Sequence, residues 1–330
     1  MQKPVFMLFS MLIVGTLLAA GCIEIDTDND SSSVEFKTWD VALTLANGTK
    51  ATPDSDIYPP VSNVPYYSKP QPFASIISTP GGEDSGFMTL DGQDFYFFFT
   101  PDVSIPVEKQ LIDGVTGIWW IHREGTEPWS VPKRIALNDD VSLDGCQQVD
   151  GNTMWFCSVR AGNHNEIDFY KATNSGGDWS VGSMKDLNLN PNQLGEFHFT
   201  NNGNRFWYGS GGAYDEQSDI YYMDKMNGEW QDPVMVENVN TPDLCESQPW
   251  VSPDEDVMVF TGMSRHSVIG PAVFRSEKRD GVWQPAVEVI SSFAGEPSMD
   301  RYGNIYFTHH YYDADGDMLE ADIYVSYFQG

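Results

Sequence analysis

The chain has 330 residues, of which 48 are Asp or Glu and 18 are Lys or Arg, and its formal net charge at pH 7 is -30. A charge of this sign repels phosphate backbones and excludes nucleic acid as a partner. The 13% of aromatic residues, with 29 Gly and 20 Pro, exclude a wholly disordered chain and favour strands joined by turns over helices.

Residues 1–21 are predicted to be a secretory signal peptide. Lys3 precedes the apolar run 5–20, which ends in small residues before Cys22. The alternative is a transmembrane helix, but the run is short for a span and acidic residues, not basic ones, follow it. The segment 17–22 resembles the lipobox of prokaryotic lipoproteins, and this resemblance implies that Cys22 is lipidated and begins the mature chain.

Residues 22–34 are acidic and rich in Ser, so we expect a flexible tether between the lipid and the folded part. The lipobox resemblance implies an extracytoplasmic protein anchored to the cell membrane. Ile23, rather than Asp, after the cysteine implies the outer membrane in an organism that has one. Residues 35–66 are predicted to be an N-terminal extension that packs on the folded domain, 67–330.

A repeat of about fifty residues organises this domain. Trp129, Trp179, Trp230 and Trp283 follow one another at spacings of 50, 51 and 53 residues. A short aromatic strand precedes each tryptophan, and a hairpin with a turn such as Asp-Gly or Asn-Gly precedes that strand. Each repeat therefore predicts four strands, which is the content of one propeller blade.

The fifth repeat ends without its Trp-Pro strand, and residues 67–77 supply this pattern before the first hairpin. We therefore expect an all-β fold, a five-bladed β-propeller with four antiparallel strands per blade. An N-terminal strand would complete the last blade and remove the open sheet edges.

The segments 246–254, 296–298 and 219–222 with 230–233 resemble the Tol-type WD-like propeller repeat, typified by the periplasmic propeller of the Tol system. The resemblance covers residues 67–328 and implies the propeller fold. It implies neither binding nor catalysis, because propellers host both.

Each repeat begins with an acidic residue, and the five are Glu83, Asp144, Glu196, Glu246 and Glu296. Because the first strand of a blade lies innermost, these acids can cluster at one mouth of the channel as a negative pocket for a cation, an amine or sugar hydroxyls. Alternatively, each acid caps its own blade by accepting hydrogen bonds from backbone N–H groups. The presence of an acid in every repeat favours such a structural role.

Polar residues that break the repeat are the better candidates for a binding site, and they are His198, Arg265, His309 and His310. The full predicted ligand-binding set adds the acids Glu83, Glu196, Glu246 and Glu296. The aromatic residues Trp207, Tyr208 and Tyr311 are expected to line the same pocket. The alternative is that the histidines lie in exposed loops.

No metal ion or cofactor is predicted. No His or Cys cluster has the spacing of a compact zinc motif. The loop that begins at Asp313 lacks glycine at its sixth position, and Tyr324 stands at the twelfth, where a calcium loop has its bidentate glutamate. Cys146 and Cys157 flank the turn at Gly151 symmetrically, so a hairpin would bring them within disulfide distance. Cys245 would then be a free thiol.

Two functions remain open. The favoured one is a non-catalytic, monomeric, lipid-anchored propeller that binds a protein or a carbohydrate at its channel mouth, because no motif tied to chemistry is present. The alternative is a glycoside hydrolase, since five-bladed propellers resemble the fold of several glycosidase families. Its candidate catalytic carboxylates are Glu196, Glu246 and Glu296.

Overall fold

The computed structural model describes residues 35–137, 141–188, 194–210, 218–242, 245–264, 266 and 270–330. The signal peptide, Cys22, the tether and Arg265 lie outside the described residues. Within the described ranges the helices are short, and none is long and apolar enough to cross a membrane. They are α1 (Trp39–Leu45), α2 (Val107–Gln110) and α3 (Lys185–Asn188), with a 3₁₀ turn at Asn201–Gly203.

The structure is mostly β with several antiparallel sheets, as the sequence predicts. The largest sheet has eight strands in two antiparallel runs, which meet at a parallel pairing of Ala321 with Gly82. One run consists of β3 (Gly82–Met88), β4 (Asp94–Thr100), β5 (Gly117–His122) and β6 (Lys133–Arg134). The other consists of β21 (Ala294–Met299), β22 (Ile305–Tyr312), β23 (Met318–Ser326) and β2 (Gln71–Pro72).

Three further sheets contain the remaining strands of the described residues. The four-stranded sheet has β7 (Ser142–Asp150), β8 (Thr153–Arg160), β9 (Asp168–Ser175) and β10 (Asp178–Ser183). The five-stranded sheet has β11 (Leu194–Thr200), β12 (Arg205–Ser210), β13 (Asp219–Met226), β14 (Glu229–Trp230) and β15 (Val234–Met235). The six-stranded sheet has β16 (Ser247–Val251), β17 (Val257–Met263), β18 (Pro271–Arg279), β19 (Val282–Trp283), β20 (Val287–Ser291) and β1 (Val61–Ser62).

Both faces of the sheets are packed, which explains their continuous apolar runs. In β4, Phe95, Phe97 and Phe99 enter one core cluster, while Tyr96 and Phe98 enter two others. Successive side chains of a strand point to opposite faces, so a run of five aromatic residues requires a neighbouring layer on each side. The aromatic strands of the repeat therefore form the contacts between sheets.

The repeated tryptophans lie mainly at the turn before the outermost strand. Trp230 pairs with Lys225 and Trp283 pairs with Lys278 in two-residue ladders, and the outermost strands β15 and β20 follow them. The Lys278 ammonium lies 4.7 Å from the centroid of the Trp283 ring, and Lys225 lies 5.3 Å from that of Trp230. For Trp230 and Trp283 the prediction of a Trp-Pro strand as the fourth strand is wrong, because both residues lie in the ladder at the turn and a separate outer strand follows. Trp179 lies in the outermost strand β10, as predicted.

The strands β3, β7, β11, β16 and β21, called here the central strands, all contain a bulge. It falls at 85–86, 146–147, 195–196, 248–249 and 296–297. Glu246 lies two residues before its bulge, whereas Glu296 is itself the first bulge residue, with φ 53°. Their spacing of 50 residues therefore joins non-equivalent positions, which corrects the assumption that both lead a repeat.

The N-terminal extension, 35–66, and the residues that follow it up to Phe73 pack against strands that are distant in the sequence. Trp39 of α1 lies 4.9 Å from Trp119 and 5.0 Å from Phe99, measured between ring centroids. β2 pairs antiparallel with β23, and the Phe73 N–H donates to the Ile323 carbonyl at 2.9 Å. The start of the described chain is thereby joined to the end of the sequence.

Candidate functional site

The hairpin turns of β3, β7, β11 and β16 surround a pocket of ≈ 560 Å³, called here the central pocket. Its position follows from the repeat, because each central strand ends at the same mouth. The side chains that determine its chemistry are Phe87, Tyr96, Trp250, Asp91, Asp94 and Asp150. Among the described residues that line it there are three aspartates and neither Lys nor Arg, so the pocket is negative.

His198 forms the aromatic base of the central pocket. Its ring lies 5.4 Å from Trp250 and 6.3 Å from Phe87, measured between centroids. Burial lowers the pKa of His198 to about 3, although a hydrogen bond to the Val251 backbone opposes this shift. The imidazole is therefore neutral at physiological pH and offers hydrogen bonds without charge.

Glutamine side chains make the wall of the pocket rigid. Gln148 binds the backbone of Phe199 on the neighbouring central strand twice, donating to the carbonyl at 2.8 Å and accepting from the N–H at 2.6 Å. Gln147 donates to the Ser85 carbonyl on the other neighbouring strand. These bonds replace the backbone ladder that adjacent central strands lack, so the pocket is largely pre-formed.

Glu296 lies beneath the pocket and connects the eight-stranded sheet with the six-stranded sheet. Its Oε2 atom accepts a hydrogen bond from the Ser85 N–H at 2.9 Å, and its Oε1 atom accepts one from Gln248 Nε2 at 3.2 Å. Its own N–H donates to Thr261 Oγ1 at 2.9 Å. Glu296 and His198 line a narrow cavity of ≈ 40 Å³, which has room for about one water molecule.

Glu83 and Glu246 make matching contacts to their own preceding loops. Glu246 Oε1 accepts from the Thr241 N–H at 3.0 Å and from its hydroxyl at 2.7 Å, and Glu83 binds the corresponding groups of Thr79. Burial raises the pKa of Glu246 to about 7. Burial and the charge of Asp322 raise the pKa of Glu83. These contacts are those of caps, and neither residue lines the central pocket.

His309 and His310 lie within β22 and are buried, rather than following the strand in an exposed loop. His309 Nε2 lies 2.9 Å from Asp56 Oδ2 of the N-terminal extension. His309 pairs with Ala294 at the start of β21, whereas the central pocket lies at the ends of the central strands. The structure therefore does not bring this pair together with His198.

Beside His309, Lys50 enters a buried acidic site. Its ammonium lies 2.9 Å from Glu320 Oε1 and 2.5 Å from Asp322 Oδ2. Burial lowers the pKa of Lys50, but the two carboxylates outweigh it and the net change is upward. Burial raises the pKa of Glu320 to about 7 against the effect of Lys50. This network fastens the extension to β23.

The remaining predicted residues fall into separate places. Cys146 and Cys157 form a disulfide with 5.5 Å between their Cα atoms, although Cys146 is a bulge residue and Gly145 is the partner of Cys157 in the ladder. Glu196 belongs to β11, and its side chain lies outside the described residues. Trp207, Tyr208 and Tyr311 are core residues with 1% exposure. No group of His, Cys, Asp or Glu in the described ranges could hold a metal ion.

Sequence reasoning missed the aspartates of the central pocket. Asp91 and Asp150 belong to the Asp-Gly turns that the sequence predicts, and Asp94 follows the first of these turns. The repeat contained a signal for these aspartates, because equivalent turns of successive repeats lie close together and acidic turn residues would then line one pocket. Trp250 lies in the repeat segment 246–254, but its place in the lining of the pocket depends on the bulge before it.

No family model and no curated protein matches the chain. Among solved structures, TolB from Acinetobacter baumannii aligns with a TM-score of 0.45 and 16% identity over 76% of this chain and 56% of TolB. A xylan β-1,4-xylosidase from Bacillus halodurans aligns with a TM-score of 0.45 and 12% identity over 80% of this chain and 54% of the xylosidase. A prolyl endopeptidase aligns with a TM-score of 0.38 and 15% identity over 74% of this chain and 31% of that enzyme.

The chain thus has distant structural similarity to TolB and to other β-propeller domains, such as those of prolyl endopeptidase and tricorn protease. It spans 56% of TolB and smaller shares of the xylosidase and the prolyl endopeptidase. The similarity concerns the fold alone.

Proposed function

We propose that the chain is a lipid-anchored, extracytoplasmic, five-bladed β-propeller that binds a carbohydrate in its central pocket without transforming it. Each antiparallel run of strands is one blade, and the eight-stranded sheet is two blades. β2 completes the blade of β21, β22 and β23, so the ring closes between the first and last blades. The side-chain hydrogen bonds between neighbouring central strands, including those of Gln148 and Glu296, support this closure.

The mixed lining of the central pocket carries the proposal of a carbohydrate ligand. Trp250, Tyr96 and Phe87 offer aromatic faces, while Asp94 and Asp150 offer hydrogen-bond acceptors. A sugar ring presents both C–H groups and hydroxyls, so it uses both kinds of surface. The volume of ≈ 560 Å³ suits a small ligand. A protein partner instead covers roughly 800 Å² of surface on each side.

The positions of the glutamates favour binding over hydrolysis. A glycosidase places two carboxyl groups about 5–5.5 Å or roughly 6.5–9.5 Å apart across the glycosidic bond. Glu246 and Glu296 are held by hydrogen bonds to protein groups and do not line the central pocket. The pocket aspartates are therefore the candidate ligand-binding groups, although Asp94 Oδ1 also accepts a hydrogen bond from Trp120 Nε1 at 2.7 Å and lies 2.8 Å from His122 Nδ1.

A glycan-binding screen with the mature protein tests the proposal. The double variant Asp94→Asn, Asp150→Asn should bind the selected glycan at least about tenfold more weakly, because it loses two charged acceptors. The matched control Asp178→Asn, Asp232→Asn changes two exposed aspartates outside the pocket and should bind as the parent does. Release of reducing ends from the bound glycan would instead support the hydrolase. A screen without any bound glycan would overturn the proposal.

A separate experiment tests the anchor. We expect a fatty-acid label on the parent protein and none on Cys22→Ala, because the cysteine thiol is the acylated group in the lipobox model. Cys245→Ala is the matched control and should retain the label. Label on Cys22→Ala would overturn the anchor while leaving the carbohydrate proposal intact.

A further inference from the structure

The outer edge of β10 is a strand edge that no described strand covers and that the proposed carbohydrate site does not use. β10 has 6 residues and pairs with β9 on one side, and no described strand pairs with its other side. In the described parts of the other sheets, the outermost strands β6 and β15 have 2 residues each. β20 is longer, but β1 covers it. A free edge of this length is a template for another strand.

The register identifies the backbone groups that this edge presents. The Met184 N–H donates to the Phe169 carbonyl at 3.0 Å, directly after β10. Because bonded and non-bonded pairs alternate in an antiparallel ladder, residues 178, 180 and 182 bond to β9. The N–H and C=O groups of Trp179, Val181 and Ser183 therefore point away from β9.

The side chains along this edge are small and leave it open to solvent. Ser180, Gly182 and Ser183 are exposed, and a Cβ atom added at Gly182 would meet nothing within 4 Å. Natural edges are commonly protected by bulky charged residues or proline within the strand. The sequence of β10, Asp-Trp-Ser-Val-Gly-Ser, contains neither lysine nor proline.

Three lysines surround this edge. Lys171, Lys185 and Lys225 line a groove of ≈ 520 Å³ beside residues 180–186, and Asp186 is its single acidic residue among those described. None of the three forms an ion pair with a described carboxylate, unlike Lys50 or Arg205. In a chain with 48 acidic and 18 basic residues, such a cluster gives the groove a local charge opposite to that of the whole protein.

We propose that an extended acidic segment of a partner protein docks on β10 as an additional strand. Backbone groups of Trp179, Val181 and Ser183 supply the ladder hydrogen bonds, and the lysines attract acidic side chains at alternate positions of the incoming strand. The net charge of -30 repels acidic proteins from most of the surface, whereas the lysines of this groove attract an acidic segment locally.

Such docking also occurs within the chain itself, at β2 on β23 and at β1 on β20. β1 pairs antiparallel with β20 through Val61 with Ser291 and Ser62 with Ile290, and the Asn63 N–H extends the ladder to the Val289 carbonyl at 2.9 Å. The outer edge of a sheet in this fold therefore accepts an extended segment from a distant part of the chain. β10 has the same outermost position in its own sheet.

Binding of a blocked octapeptide of alternating Glu and Val to the full mature chain tests this proposal. The triple variant Lys171→Gln, Lys185→Gln, Lys225→Gln should bind it at least tenfold more weakly at low ionic strength. The triple variant Lys37→Gln, Lys69→Gln, Lys109→Gln has the same net charge and should bind as the parent does, because these lysines lie outside the groove. Equal affinity of the two variants would overturn the proposal.

Hydrogen exchange on the parent protein distinguishes strand addition from simple charge attraction. The peptide should slow exchange of the Trp179, Val181 and Ser183 amides and leave the Gly182 amide unchanged, because that amide already bonds to β9. Unchanged exchange at all four amides would overturn the proposal. Tighter peptide binding after Glu24→Gln, Asp26→Asn, Asp28→Asn and Asp30→Asn would also overturn it, because it would identify the chain's own acidic segment as the occupant.

Discussion

Glu296 accepts a hydrogen bond from the backbone N–H of Ser85, which is 211 residues earlier in the sequence, at 2.9 Å. Both residues are the first of their bulges and both have positive φ, 53° for Glu296 and 47° for Ser85. A bulge turns a side chain or an N–H out of the ladder. The two bulges thereby join the first and last central strands, which are neighbours in the fold.

Glu296→Gln should lower the free energy of unfolding by about 1–3 kcal/mol, because an amide offers only one acceptor oxygen to the N–H groups around it. Glycan binding by the folded variant should not change, since Glu296 lies outside the lining of the central pocket. Denaturant unfolding and the glycan assay measure the two effects. Loss of glycan binding with unchanged stability would identify Glu296 as a ligand-binding residue instead.

The contribution of His198 to the free energy of unfolding should fall between pH 6.5 and pH 3. Its folded pKa, about 3, is below the ordinary value of 6.5, so the unfolded state binds the proton first as the pH falls. When the unfolded state binds one proton more than the folded state, the free energy of unfolding changes by up to about 1.4 kcal/mol per pH unit. Unfolding of His198→Phe across this range should show a shallower slope. His164→Phe, an exposed control, should keep the slope of the parent.

Removal of the disulfide should lower stability by about 2–3 kcal/mol, because the Cys146–Cys157 bond closes a loop with a sequence separation of 11. The variant Cys146→Ala, Cys157→Ala should therefore melt at a lower temperature. Cys245→Ala removes a thiol without opening a loop and should cost less. Equal melting temperatures of parent and double variant under oxidising conditions would contradict this expectation.

Phe73→Ala should destabilise the fold by about 2–4 kcal/mol. The Phe73 ring lies 4.7 Å from Phe95 and 5.0 Å from Tyr306 between centroids, so it joins the first and last runs of the large sheet next to β2. Tyr302→Ala, at an exposed position, should change stability by less than about 0.5 kcal/mol.

Deletion of residues 67–77 should have a much larger effect than either substitution. A melting temperature unaffected by the deletion would refute closure through β2.

Part of the candidate site could be predicted from the sequence. His198 was singled out because it breaks the repeat, and it lines the central pocket. Glu246 and Glu83 were offered both as pocket acids and as caps, and their bonds to Thr241 and Thr79 are those of caps. Spacing alone could not decide between these alternatives, because a cap and a pocket acid occupy the same position in the repeat.

The sequence by itself determined the mostly β character of the chain and the position of most hairpins along it. The signals that predict the strands are local. They are the Asp-Gly and Asn-Gly turns, the aromatic strands and the spacing of the tryptophans, and each of them lies within one repeat of about fifty residues. The pairing of β2 with β23 was also predictable, because the repeat that ends the chain lacks a strand that its beginning supplies.

Only the tertiary structure decided which side chains meet. Lys50 lies 2.5 Å from Asp322 across 272 residues of sequence, and no local pattern links them. The bulges decided which way the side chains of the central strands point, because an additional residue in a strand changes the face to which the following side chains point. Glu296 is turned by its bulge towards Ser85 and not towards the position of Glu246, although both glutamates look equivalent in the sequence.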